Sequence, residues 1–248
     1  MHVIYVLWLR QLKRYFRSKA RIIGALGQPL LFLFALGFGF GPVFERAGEG
    51  DYVQFLVPGI IAMSILFTSM FNGIEIIWDR QFGFLKETLV APVSRVTIML
   101  GRTLGGASVG IIQGLIILGI SLLVGFQIGS PAGLPAALLF MVLIATLFTA
   151  LGTAIASVLE DMHGFQLIMN FLVMPLFFLS GALFPIHNLP AAVGMLVRLN
   201  PLSYGVDGLR GALLGVYQIG FLTNFIVLAL CMLFLVAVGA YLFSKIEV

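Results

Sequence analysis

The residues able to do chemistry are few, and their spacing limits what they can do. Glu160, Asp161 and His163 form the tightest cluster of metal-ligand types. A metal needs three or four such donors converging on one ion. His2 and His187 are remote in sequence, and the single cysteine, Cys231, has no CxxC partner. A short polar turn between two apolar runs explains Glu160–His163 better than a metal site. No HExxH and no P-loop GxxxxGK followed by Ser or Thr occurs. The chain is therefore read as having no catalytic residues, no cofactor site and no nucleotide site of its own. Ion-coupled carriers bury carboxylates or histidines at mid-membrane. Here Glu75 and Arg102 stand only at the ends of apolar runs, and no Arg-rich sensor helix or TVGYG filter is present.

The elements that must position these residues are membrane helices. The chain has 248 residues, 60% hydrophobic and 10% charged, with a mean hydropathy of +1.11. Soluble domains carry about 25% charged residues, so the solvent here is a bilayer. The N-terminal basic run with its apolar sequel mimics a signal peptide, but it is too long and lacks an A-x-A site. Apolar runs predict an all-α integral membrane protein of six transmembrane helices, near 22–42, 53–77, 97–126, 133–158, 165–184 and 219–243. Arg10, Lys13, Arg14, Arg17, Lys19, Arg21, Arg80, Lys86, Arg95, Arg102 and Lys245 fall on one side. Only Arg46, Arg198 and Arg210 fall on the other, with the acidic Glu45, Glu49 and Asp51. The first side is then cytoplasmic, with both termini inside. The basic residues thus report topology and not nucleic-acid binding.

Three further segments have shapes of their own. Over residues 1–21, Ile4, Trp8, Leu12, Tyr15 and Phe16 share one helical face, and Arg10, Lys13, Arg14, Arg17 and Arg21 share the opposite one. That pattern predicts an interfacial amphipathic helix, basic face toward anionic lipid headgroups. Residues 185–214 divide at Asn200–Pro201, since the residue before proline avoids helix and proline suits a new first turn. Two half-length helices, 189–199 and 201–214, predict an outer re-entrant hairpin. Tyr204 and an i, i+3 pair of Asp207 with Arg210 would anchor it.

The third segment, 79–95, reads as a short cytoplasmic helix. Phe82, Leu85 and Leu89 form its stripe, Pro92 ends it and Ser94 caps the next helix. It serves either as a connector on the lipid surface or as a docking knob for a soluble partner. The missing energy source favours the knob. In the third span, Gly106, Gly110 and Gly114 repeat at spacing four and predict close internal packing. Phe67, Phe71, Asn72, Asn170 and Phe178 are the candidates for a transport pathway.

Two stretches resemble a known family. FGFLKETLVAPVSRVTIMLGR, residues 82–102, is similar to the cytoplasmic loop of type-2 ABC transporter permeases, though the family's usual Thr-Leu-Glu order is altered after Gly83. FPIHNLPAAVGMLVRLNPLSYGVDGLRGALLG, residues 184–215, resembles the family's Phe-Pro, Leu-Pro, Asn-Pro-x-x-Tyr and Asp-x-x-Arg signature. Length, topology and the amphipathic start agree, and the drug-resistance (daunorubicin-type) and nodulation-type exporters are the nearest subgroup. The resemblance implies a permease in the cytoplasmic membrane, a homodimer joined to two copies of a separate ABC ATPase that holds ATP and Mg. It implies export of an amphipathic drug, lipid or glycolipid-like substrate. Residues 79–95 would be the coupling helix, with Phe82, Phe84, Leu85, Lys86, Glu87 and Leu89 meeting the ATPase. The rival reading is an ATP-independent channel or carrier.

Overall fold

A computed structural model of the chain describes residues 2–46, 50–90, 92–185 and 190–246. Glu49, Ala91, His187 and residues 186–189 at the start of the expected hairpin lie outside the described residues. The described chain is helical, without a strand: α1 (His2–Arg17), α2 (Lys19–Arg46), α3 (Tyr52–Phe71), α4 (Ile74–Gln81), α5 (Phe84–Val90), α6 (Arg95–Val124), α7 (Leu134–Val158), α8 (Met162–Phe178), α9 (Ala191–Leu199), α10 (Pro201–Leu214) and α11 (Phe221–Ser244). Among the described residues, five helical segments are long and apolar enough to cross a membrane: Lys19–Arg46, Tyr52–Gln81, Arg95–Val124, Pro131–Val158 and Phe221–Ser244.

The centre of the molecule is α3. Every residue from Leu56 to Leu66 is buried, as expected of a helix apolar on all sides. It packs against α2, α6, α7 and α10. Gly106, Gly110 and Gly114 of α6 face this core: a Cβ at Gly106 would stand 2.6 Å from Thr149 Cγ2, and one at Gly114 2.8 Å from Ile65 Cδ1. The small stripe thus admits α3 and α7 at close range. By contrast, α2 and α11 bury little of their surface, leaving wide apolar faces for lipid or another chain.

Several boundaries differ from the sequence expectation. The amphipathic helix ends at Arg17, and α2 already contains Lys19 and Arg21. The 79–95 segment is not one helix. Asp79, Arg80 and Gln81 finish α4, the chain turns at Phe82–Gly83, and α5 occupies Phe84–Val90. Gly83 makes that turn at φ +81°, a conformation glycine adopts without steric cost. The expected 165–184 span is the 17-residue α8, about 25 Å long at ~1.5 Å per residue. It stops because the chain turns at Gly181, φ +71°, and the Ser180 hydroxyl donates to the Phe177 carbonyl at 2.6 Å.

Candidate functional site

The basic residues gather at one end of the bundle, around the turn between α4 and α5. Ser94 caps α6 there, its hydroxyl accepting from the Thr97 N–H. Arg95 Nη1 donates to the carbonyls of Ser244 and Ile246, both at 2.7 Å, so the C-terminal residues sit at this end too. Leu85 is fully buried and Leu89 packs against the core. The exposed side of the elbow is Phe82 (70%), Phe84 (53%), Lys86, Glu87 and Val90. The expected stripe of Phe82, Leu85 and Leu89 is therefore not one outward face. Its leucines fasten α5 to the body, and Phe82, like Phe84, points away. The Gly83 turn rotates Phe82 out of the α5 register, which an unbroken-helix reading of the sequence missed.

The elbow is held on both sides. Arg80 donates from Nη1 to the Leu159 carbonyl and from Nη2 to the Ser157 carbonyl, each at 3.1 Å. Gln81 Nε2 reaches the Glu160 carbonyl at 3.3 Å, and Trp78 Nε1 meets the Met162 sulfur. The short α7–α8 turn is thus tied to α4.

On the other side lies an ion cluster that the sequence reading did not assemble. Glu75 and Asp79, one turn apart on α4, are both buried. Arg102 Nη2 of α6 bonds Asp79 at 2.5 Å, and Arg10 of α1 reaches the same carboxylate at 3.4 Å. Arg21 of α2 bonds Glu75 at 2.7 Å, and Arg14 of α1 stands 3.6 Å from it. Arg10, Arg14 and Arg21 therefore turn toward protein carboxylates and not, as expected, toward headgroups alone. The i, i+4 spacing of two carboxylates at the end of an apolar run was the available signal. Their partners lie in three other helices.

The apolar side of α1 lies on α6. Trp8 Nε1 donates to Ser108 Oγ at 2.9 Å, and the Tyr15 hydroxyl donates to Gln113 Oε1 at 2.5 Å. Burial pushes the Tyr15 phenol above its ordinary range. Gly106-Ala107-Ser108-Val109-Gly110 has the spacing GxSxG. It lies inside a straight helix, and the Ser108 hydroxyl donates to the Leu104 carbonyl at 2.8 Å. A nucleophile elbow instead requires a sharp strand-to-helix turn.

Of the pathway candidates, three come together. Phe67, Phe71 and Asn72 line a cavity of about 480 Å³ with Gln28, Thr68 and Trp78. Asn72 Nδ2 also donates to the Gly106 carbonyl at 3.3 Å. Asn170 and Phe178 do not join them. Both are exposed on the outer side of α8, beside Phe171 and Met174.

At the far end, α9 and α10 meet at Asn200–Pro201. Asn200 Nδ2 donates to the Leu176 carbonyl at 2.6 Å while its Oδ1 accepts from the Leu202 N–H. The Tyr204 hydroxyl donates to the Arg198 carbonyl at 2.8 Å. The expected Asp207–Arg210 pair is absent from the ion pairs among the described residues. Asp207 accepts instead from the N–H groups of Gln218 and Ile219 and from Asn224 Nδ2, at 2.7–2.9 Å. Arg210 donates to the carbonyls of Gly181 and Phe55 and lies 4.0 Å above the Phe55 ring. Three N–H donors meet the Asp207 carboxylate, whereas Arg210 uses Nη2 for both carbonyls, rests on the Phe55 ring and leaves its buried Nε without a partner. Burial, then the Asp207 charge, push the Tyr217 phenol up in the adjoining loop.

Comparisons with known proteins give the chain its relatives. Residues 2–214 match the family described as ABC-2 type transporter. The inner membrane transport permease YadH of Escherichia coli (strain K12) is 28% identical over 257 residues, covering 100% of this chain and 97% of that protein. The protein ycf38 of Pyropia yezoensis is 32% identical over 213 residues, covering 84% and 72%. Nodulation protein J of Rhizobium leguminosarum bv. trifolii is 27% identical over 214 residues, covering 85% and 78%. The chain belongs to the ABC-2 type transporter family, as a multi-pass membrane subunit.

Proposed function

We propose that the chain is the permease half of an ATP-driven exporter of amphipathic substrates in the cytoplasmic membrane. The observation that carries this is the α4–α5 elbow, an apolar ridge of Phe82 and Phe84 flanked by Lys86 and Glu87 and rooted in the body through Leu85. Adjoining exposed aromatic side chains rimmed by charges are a common mark of a protein–protein contact. Two copies of a separate ABC ATPase, holding ATP and Mg, engage the elbows of a permease homodimer. Closure of the ATPases pushes α5. The Arg80 contacts pass that displacement to the α7–α8 turn, and the carboxylates of α4 pass it to α1, α2 and α6.

In this reading six helices span the membrane, α8 completing its crossing with the turn after Phe178. The basic end, with both termini, faces the cytoplasm. The α9–α10 pair is the outer re-entrant hairpin. Break points in a membrane-depth backbone are tolerated when enclosed by protein, and Asn200 is so enclosed. The substrate path begins at the cavity of Phe67, Phe71 and Asn72, whose apolar walls and few polar atoms suit an amphiphile. Asn170 and Phe178 on the outer side of α8 would face the second copy.

The test is assembly. The chain purified alone is expected to hydrolyse no ATP, and co-expressed with its cognate ATPase to form a complex that does. Replacing Phe82 and Phe84 together by Arg is expected to reduce co-purification at least tenfold while the permease still folds, since both rings are exposed. Undiminished assembly would refute the assignment.

A further inference from the structure

Beside the elbow, α1 and the end of α4 enclose a groove of about 830 Å³. Arg10, Lys13, Arg14 and Arg17 form one wall, and Phe82 and Phe84 line the other. The charges do not balance. Asp79 is the carboxylate in the lining, and Arg102 and Arg10 already neutralise it. Arg14 is turned to Glu75. Lys13 and Arg17, both exposed, make no ion pair among the described residues. Two uncompensated cations thus border a groove with aromatic walls.

We propose that this groove binds the phosphate headgroup of an anionic membrane lipid, with Lys13 and Arg17 as the phosphate ligands. A lipid fits better than an acidic protein segment. Val6 and Leu9 also line the groove, so its cations sit over hydrocarbon-compatible surface. The same helix exposes Tyr5 and Phe16, 55% and 58%, side chains that suit the lipid interface. Trp78 stands in the lining with Arg14 5.4 Å above its ring, and tryptophan is enriched at headgroup depth. Lysine and arginine near a membrane surface attract anionic lipid. Because the groove is shared by α1 and the elbow, a bound lipid touches both arms of the proposed transmission. The proposal rests on α1 lying at the membrane surface, and it does not depend on the ATPase.

The test uses the full chain in an uncharged detergent, titrated with dioctanoyl phosphatidylglycerol, dioctanoyl phosphatidylcholine and inorganic phosphate. Phosphatidylglycerol is expected to bind at least tenfold more tightly than phosphatidylcholine, and millimolar phosphate not to displace it. Lys13→Gln with Arg17→Gln is expected to abolish that preference. Lys13→Arg with Arg17→Lys should retain it, and Arg46→Gln, at the other end, should bind as the parent does. Equal binding of the two lipids, or an unchanged preference in the double Gln variant, overturns the proposal. Displacement by phosphate alone would make the site one for free phosphate. A double Gln variant that keeps the lipid preference and loses the ATPase would identify an acidic protein segment as the occupant. Loss of lipid preference in the parent with ATPase assembly intact defeats this proposal and leaves the exporter reading standing.

Discussion

Arg102→Leu is expected to destabilise the protein by about 3–5 kcal/mol, the usual effect of removing one partner from a buried ion pair. Arg102 is 5% exposed and holds Asp79 at 2.5 Å. Without it, Asp79 keeps only Arg10, longer at 3.4 Å and 44% exposed. A solvent-screened contact of that kind contributes little. The carboxylate would then be buried with poor compensation. In thermal unfolding of the detergent-solubilised chain, this corresponds to a loss of roughly 6–20 °C. The companion double variant Arg102→Leu with Asp79→Leu is expected to recover most of it, because two apolar side chains fill the same space without a stranded charge. An Arg102→Leu protein as stable as the parent would show that the cluster around α4 does not hold the elbow.

Gly152→Val is expected to be among the most damaging glycine substitutions in the helix core. A Cβ at Gly152 would run into the carbonyl oxygen of Met70, and a Cβ at Gly73 into the carbonyl of Gly152. Here backbone meets backbone, so no side chain can swing aside. This crossing is also where the α3–α4 span bends at Asn72–Gly73 before entering the elbow. Overpacking of a tight core costs about 1–3 kcal/mol, occasionally more, and this site belongs at the upper end. Folded protein should be lost from the membrane fraction, judged by a monodisperse size-exclusion peak. Gly27→Ala is the control, because nothing lies within 4 Å of its Cβ position, and a change within about 0.5 kcal/mol is expected there. A well-folded Gly152→Val protein would contradict the close crossing.

The architecture was legible where one physical rule dominates. Long apolar runs mark the spans, and Pro201 marks the break that separates α9 from α10. Gly106, Gly110 and Gly114 announce a close helix approach because their spacing matches the helical repeat. Where two rules compete, the sequence misleads. Phe82, Leu85 and Leu89 lie on one face only if the helix is unbroken, and Gly83 breaks it. Asp207 and Arg210 have pairing distance along α10, yet each finds partners from other segments. The salt bridges of Glu75 and Asp79 join residues 23 to 69 positions apart along the chain, a relation no local pattern carries. Phe67 and Phe71 on α3 and Asn72 just past its end fall close together and so reach one cavity. Only residue type marks Asn170 and Phe178, and α8 turns both to its exposed side.

The central claim is that force enters through α5, and site-directed crosslinking tests it most directly. Cys231 is half-buried and unpaired, so a Cys231→Ser background removes competing thiols. In that background Phe84→Cys, co-expressed with the cognate ATPase, is expected to form a covalent adduct with it under a short bifunctional maleimide. Arg46→Cys, at the far end of α2, is expected to form none. Adducts from position 46 and not from position 84 would contradict both the orientation and the coupling role of the elbow.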